Sequence, residues 1–205
     1  MILDVSEIQA RVDDPQVYEI ANITWPNMTI PQNAIPFTRD GKSYVLEIDE
    51  YSASEADGGV AAHGDVVGAG RIIDITDETN PVIVSDLRLD VHEPENRAEI
   101  AGDPGAFLPI QGYAGHYCNI PTRVNPEIAA CSMIVSGLRI FDIRDPARPK
   151  EIAYFNAPVN PRITPIFEAS NWAMSSPAFA PERKEIWYTD GYSGFYVVRL
   201  TNDVW

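Results

Sequence analysis

Two cysteines, three histidines and a recurring pair of aspartates are the residues of this 205-residue chain whose types and spacing bear most directly on chemistry. Cys118 and Cys131 flank a turn, Arg123-Val-Asn-Pro126, that separates two strand-like runs at 115–121 and 128–135. If those runs pair about a turn centred between Val124 and Asn125, the two cysteines stand directly opposite each other. Cβ atoms are then about 4.5–5.5 Å apart, within disulfide reach. The spacing predicts a disulfide; two buried thiols, or a metal or redox pair, are the other readings. An oxidised pair points to an exported protein.

His116 opens a predicted strand in Gly115-His-Tyr-Cys118, His63 lies in the small-residue stretch 55–64, and His92 sits in the turn-like Asp90-Val-His-Glu-Pro94. His116, with His63 and acids such as Asp65 or Glu127, is the set that could ligate a transition metal or supply a general base near neutral pH. No His-x-His or His-x-x-x-His spacing accompanies it, so a hydrogen-bonded structural histidine is the simpler reading and no cofactor is expected. Asp74 and Asp142 each close an apolar run three residues before a second aspartate, Asp77 and Asp145. Side chains so placed accept nearby backbone N–H groups and fix a turn. Asp142 is expected to be little exposed and to take amides near Asp145 or Ala147. Calcium is the other reading of these acids, but it takes about six to eight oxygens, more than the loops offer.

No Gly-x-Ser-x-Gly, no phosphate-binding loop and no dinucleotide fingerprint occurs; Gly68-Ala-Gly70 only feeds a strand. Asn22-Ile-Thr24 and Asn27-Met-Thr29 match glycosylation sequons by pattern and are read as chance. Trp25, Trp172, Trp187 and Trp205, with Tyr188, Tyr192 and Tyr196, are read as packing residues, with a carbohydrate-stacking surface as the alternative.

The elements that must position these residues are set by an internal repeat. Gly70-Arg-Ile-Ile-Asp-Ile-Thr-Asp-Glu-Thr-Asn-Pro81 recurs 68 residues on as Leu138-Arg-Ile-Phe-Asp-Ile-Arg-Asp-Pro-Ala-Arg-Pro149. Weaker copies are Met1-Ile-Leu-Asp-Val-Ser6, with Asp4 in the place of Asp74, and Ser193-Gly-Phe-Tyr-Val-Val-Arg-Leu-Thr201. Each copy reads as a strand followed by an Asp/Pro turn. Upstream lie two more strands, at 34–38 and 43–50 around the hairpin signal Asp40-Gly41. A fourth strand follows, at 82–89 or 150–155. Helical periodicity is absent apart from a turn or two over 6–12.

Four-stranded antiparallel units with both faces apolar predict an all-β chain of β-propeller blades that cover one another. A Greek-key β-sandwich is the alternative. The blades fall at about 33–91, 115–156 and 172–201, with N-terminal strands within 1–24, all in one domain. About three blades are too few for closure. The expectation is therefore a remainder elsewhere in a longer chain, or self-association of copies. The repeat segments at 70–77 and 136–149 resemble the LVIVD-repeat family of bacterial proteins. That resemblance implies a β-propeller, often exported, of which this chain is a C-terminal portion; it implies no catalytic residues.

Composition narrows the partners. Hydrophobic residues make up 45% and charged residues 22%, a core-forming balance. With 15 Lys and Arg against 30 Asp and Glu, the formal charge of -15 opposes phosphate backbones and anionic lipid. The longest apolar run, 128–135, is far below the ~20 residues of a membrane-spanning helix. The opening residues show no signal peptide on the chain as it stands. The expectation is a non-catalytic binding or scaffold module of an exported or cell-surface protein, taking protein or glycan at its loops and channel mouth. A metal-dependent enzyme centred on His116 is the alternative.

Overall fold

The computed structural model describes residues 1–25, 30–50, 69–93, 95–103, 106, 112–158, 171–201, 203 and 205. Across them the chain is all-β. His63, Asp65, Gly68 and the second sequon lie outside the described residues. Among the described residues thirteen strands form four antiparallel sheets: β1 (Ile2–Asp4) with β2 (Tyr18–Ala21); β3 (Pro31–Arg39), β4 (Lys42–Asp49), β5 (Gly70–Asp74) and β6 (Val82–Leu87); β7 (Tyr117–Asn119), β8 (Ile128–Ser132), β9 (Leu138–Asp142) and β10 (Lys150–Phe155); and β11 (Ala178–Ala180), β12 (Glu185–Asp190) and β13 (Gly194–Arg199). The only α-helix among the described residues is α1 (Ser6–Gln9). Strand order is sequential in every sheet, so each is a meander and not a Greek key.

Local chemistry explains the hairpins. Asp40 and Gly41 both have positive φ, 51° and 81°, as a two-residue type I′ turn requires, and Arg39 then pairs with Lys42. In the next sheet Asn125 takes φ 47° in the β7–β8 turn, and Cys118 pairs with Cys131. The two are disulfide-bonded, with Cα atoms 4.0 Å apart.

The repeat is visible in strand register. Asp4, Asp74 and Asp142 pair with Tyr18, Val82 and Lys150, and in all three pairs the ladder shifts by one residue at the same place, just before the aspartate's neighbour. A bulge so placed raises the local twist of the outer strand. The β1–β2 pair is thus built like β5–β6 and β9–β10.

The β7–β10 sheet is the centre of the molecule. Ala129, Cys131 and Phe141 on one side pack with Ile35, Phe37, Leu46, Ile48 and Ile72 of the β3–β6 sheet. Ile128, Ala130, Leu138 and Ile140 on the other side pack with Ile186 and Tyr188, along with Phe179, Tyr196 and Val198. Every residue of β8 is buried, the pattern of a strand covered on both faces. The first strands of the sheets are laced together: Asn33 Nδ2 donates to Cys118 O at 3.0 Å, and Asn119 Nδ2 donates to Pro177 O at 2.8 Å. Gly115 lets the chain cross β4 closely, since a Cβ there would lie 2.6 Å from Ile48 Cδ1.

The outward face of the β3–β6 sheet differs from the expected apolar one: it buries Glu47, Asp49 and Arg71. Those groups satisfy one another, which is how charges are kept out of water.

The disulfide closes a short loop, for which the chain-entropy model gives about 3 kcal/mol. Urea unfolding of the Cys118→Ser/Cys131→Ser double variant should show a loss of that order, and the parent in reductant should match the variant.

Candidate functional site

His116 precedes β7 and joins three sheets. Its Nδ1 donates to Met174 O, ahead of β11, since a carbonyl oxygen can only accept. Nε2 lies 3.7 Å from Glu50 Oε1, at the end of β4, and the ring meets Tyr117 edge-on. With both nitrogens facing protein groups, the residue works as a brace. Glu127 is exposed just before β8, at the opposite end of that strand from His116, whose backbone N–H donates to Ser132 O. His92, read as an ordinary turn residue, is instead 1% exposed in a 3-10 turn. Among the described residues no group of three or more His, Cys, Asp or Glu side chains is placed to hold a metal ion.

A charged cluster that the sequence reading did not single out lies on the outward face of the β3–β6 sheet. Glu47, Arg71 and Asp86 are directly opposed across β4, β5 and β6. Arg71 Nη1 donates to Asp49 Oδ2 at 2.9 Å and to Glu47 Oε2 at 3.3 Å, while its Nε lies 3.7 Å from Asp86. Trp25 closes the cluster: its Nε1 donates to Asp49 Oδ2 at 2.9 Å, and Arg71 stacks over its ring at 4.6 Å. Two buried carboxylates beside one guanidinium leave an excess negative charge. Burial, reinforced by the hydrogen bond and charge of Asp49, pushes Glu47 up to about 9 despite Arg71. Glu47 is therefore a neutral acid at pH 7, which leaves Arg71 and Asp49 as a balanced buried pair, with Asp86 at the solvent-exposed rim.

The equivalent arginine one repeat on, Arg139, is also buried. It faces Cys131 and Tyr154 across the ladder and reaches along the sheet to Glu151 Oε1 at 2.7 Å, stacking on Tyr154 at 4.6 Å. Tyr113 packs nearby and donates its hydroxyl to Asp103. The signal was in the repeat itself: Gly70-Arg71-Ile72 and Leu138-Arg139-Ile140 put a cation in mid-strand between apolar neighbours.

The aspartates build turns. Asp4, Asp74 and Asp142 each accept the N–H two residues on, from Ser6, Thr76 and Arg144, at 2.8–2.9 Å. Asp77 and Asp145 do the same with Thr79 and Ala147. The amide that Asp142 takes is thus Arg144's, two residues on in the Asx geometry, and Ala147's is held by Asp145. Asp142 is part-exposed, with 23% of its side chain in solvent. The Arg144 guanidinium holds its carboxyl below the ordinary carboxylate range.

The aromatic residues divide. Trp172 is buried against Tyr192, and Tyr188 stacks on Tyr196 inside the core. Trp205 meets Phe179 edge-on. Trp187 lies on the open face of the β11–β13 sheet, edge-on to Phe195 and beside Arg183. Two concavities among the described residues lie away from the charged cluster. One, of about 180 Å³, runs between β9–β10 and the end of β13. The other, of about 390 Å³, is an open hollow over the Asp74–Asn80 turn.

No protein-family model matches the chain, and no curated protein matches it either.

Two outcomes test these assignments. Glu47 holds its proton up to about pH 9 in the fold but only to about 4.5 when unfolded, so the folded state binds more protons in between. Its contribution is fully present below 4.5 and is lost as pH rises through 9. Glu47→Gln should flatten that fall in a series of melting temperatures from pH 5 to 9. Separately, Asp142→Ala leaves an amide without its turn acceptor and should cost about 1 kcal/mol, while Asp142→Asn, which can keep that bond, should cost less. Urea midpoints measure both.

Proposed function

We propose that the chain is a non-catalytic binding module of the β-propeller type, of the kind implied by its LVIVD-like repeat, holding one set of long connections toward a protein or glycan ligand. The observation that carries this reading is the β7–β10 sheet, buried on both faces between two sheets of the same meander topology. Face-to-face stacking of successive four-stranded meanders is the blade arrangement. The recurring register and the hydrogen bonds between first strands support it.

Alternation of strand direction sorts the connections. The turns at 40–41, 75–81, 123–126, 143–149 and 181–184 emerge at one end. At the other end β4, β6, β8, β10 and β12 finish and β5, β7, β9, β11 and β13 start. At this second end, sheet β7–β10 links its middle strands with 133–137, whereas sheet β3–β6 spends 50–69 on the same link. Long connections on a rigid scaffold are where binding residues concentrate. The three longest carry ten acidic residues and three basic ones, Arg88, Arg97 and Arg162. Such an end repels phosphates and nucleic acid and suits a neutral glycan or a basic polypeptide segment. The disulfide fits an exported setting.

Surface plasmon resonance against immobilised neutral polysaccharides and basic peptides tests this. Binding should be lost or weakened at least about tenfold in Glu93→Lys/Glu95→Lys. It should be unchanged in Glu78→Lys/Glu182→Lys at the short-turn end. Equal effects at both ends would contradict the assignment.

A further inference from the structure

Three sheets converge on one polar contact. Gln32 lies at the start of β3, Glu50 follows the end of β4, His116 precedes β7 and Met174 precedes β11, so all four belong to the same end of the stack. His116 Nδ1 donates to Met174 O. In the neutral ring Nε2 then carries the lone pair, and it faces Glu50 Oε1 at 3.7 Å. That separation is too long for a hydrogen bond and sets two acceptors against each other. The second carboxylate oxygen of Glu50, Oε2, accepts from Gln32 Nε2. Only 12% of the His116 side chain and 14% of that of Glu50 reach solvent, so water screens the pair little.

We propose that His116 and Glu50 are the protein ligands of a divalent transition-metal ion of the zinc class, bound between Nε2 and Oε1 with water completing its shell. The donor types suit it: zinc takes imidazole nitrogen and carboxylate oxygen at about 2.0–2.2 Å. At such bond lengths two atoms 3.7 Å apart subtend about 120° at the ion, close to tetrahedral geometry. The outer partners suit it as well. A ligating histidine gives its other ring N–H to a carbonyl, and a ligating carboxylate is itself hydrogen-bonded, which is what Met174 O and Gln32 provide. Glu127, the acid that the sequence set beside His116, lies at the opposite end of β8, and Glu50 takes its place. Among the described residues no third His, Cys, Asp or Glu completes the set, so the site is an open one that leaves positions to water or to a donor from a ligand. The inference rests on this contact and stands apart from the ligand reading above.

The test is calorimetric titration of zinc chloride into the full-length chain, stripped with chelator and returned to metal-free buffer at neutral pH. One equivalent should bind and raise the melting temperature. Glu50→Gln and His116→Gln, which keep side-chain size and polarity, should each weaken binding at least about tenfold and remove the rise, while Gln32→Leu, which deletes only an outer partner, should weaken it by a smaller factor. Glu127→Gln should bind as the parent does. Far-ultraviolet spectra and an intact disulfide check each fold, and should one ligand variant fail to fold, the other decides. A parent that takes up no zinc would leave His116 and Glu50 as a plain ion pair, and uptake that survives both Glu50→Gln and His116→Gln would put the ion on the acidic surface. Either result would overturn the proposal.

Discussion

A meander with apolar side chains on both faces cannot stand in water by itself, and that constraint organises this protein. The β7–β10 sheet alternates Ile128, Ala130 and Ile140 with Ala129, Cys131 and Phe141, so either face left open would expose a core's worth of apolar surface. The solution is to clamp it between two sheets of the same plan. The first strands are then drawn together by Asn33 and Asn119, and His116 spans from the end of β4 to the segment before β11. The disulfide lies inside that central sheet, where it ties the first strand to the second.

At the two ends of the stack the same constraint is met differently. The outward face of the β3–β6 sheet replaces apolar contact by a paired ionic cluster under Trp25, with Glu47 keeping its proton because it is buried and hydrogen-bonded beside the charge of Asp49. Breaking one member of such a cluster strands a buried charge. The outward face of the β11–β13 sheet keeps Phe195 and Val197 in solvent beside Arg183 and Arg199. An apolar patch rimmed by charge is a surface suited to contact.

Much of this was legible in the sequence because it is local. The Asp40-Gly41 hairpin, the Asp-centred turns and the 68-residue repeat depend on residues a few positions apart, and the opposition of Cys118 to Cys131 follows from hairpin geometry alone. What was not legible depends on partners distant along the chain. Arg71 and Arg139 share a repeat position, yet one meets Glu47, Asp49 and Trp25 and the other Glu151 and Tyr154, so the repeat marks the cation without naming its counter-ion. The burial of His92 and the engagement of His116 by Met174 O were hidden for the same reason.

The central claim is that the β7–β10 sheet is the doubly covered middle of the stack, so its stability should be that of the whole fold. Native-state hydrogen exchange followed residue by residue is the most direct measurement. Amides of β8 and β9 should exchange only through global unfolding, while those of β13 and β1 exchange through local opening at far lower free energy. Exchange from β8 and β9 as fast as from β13 would contradict the account.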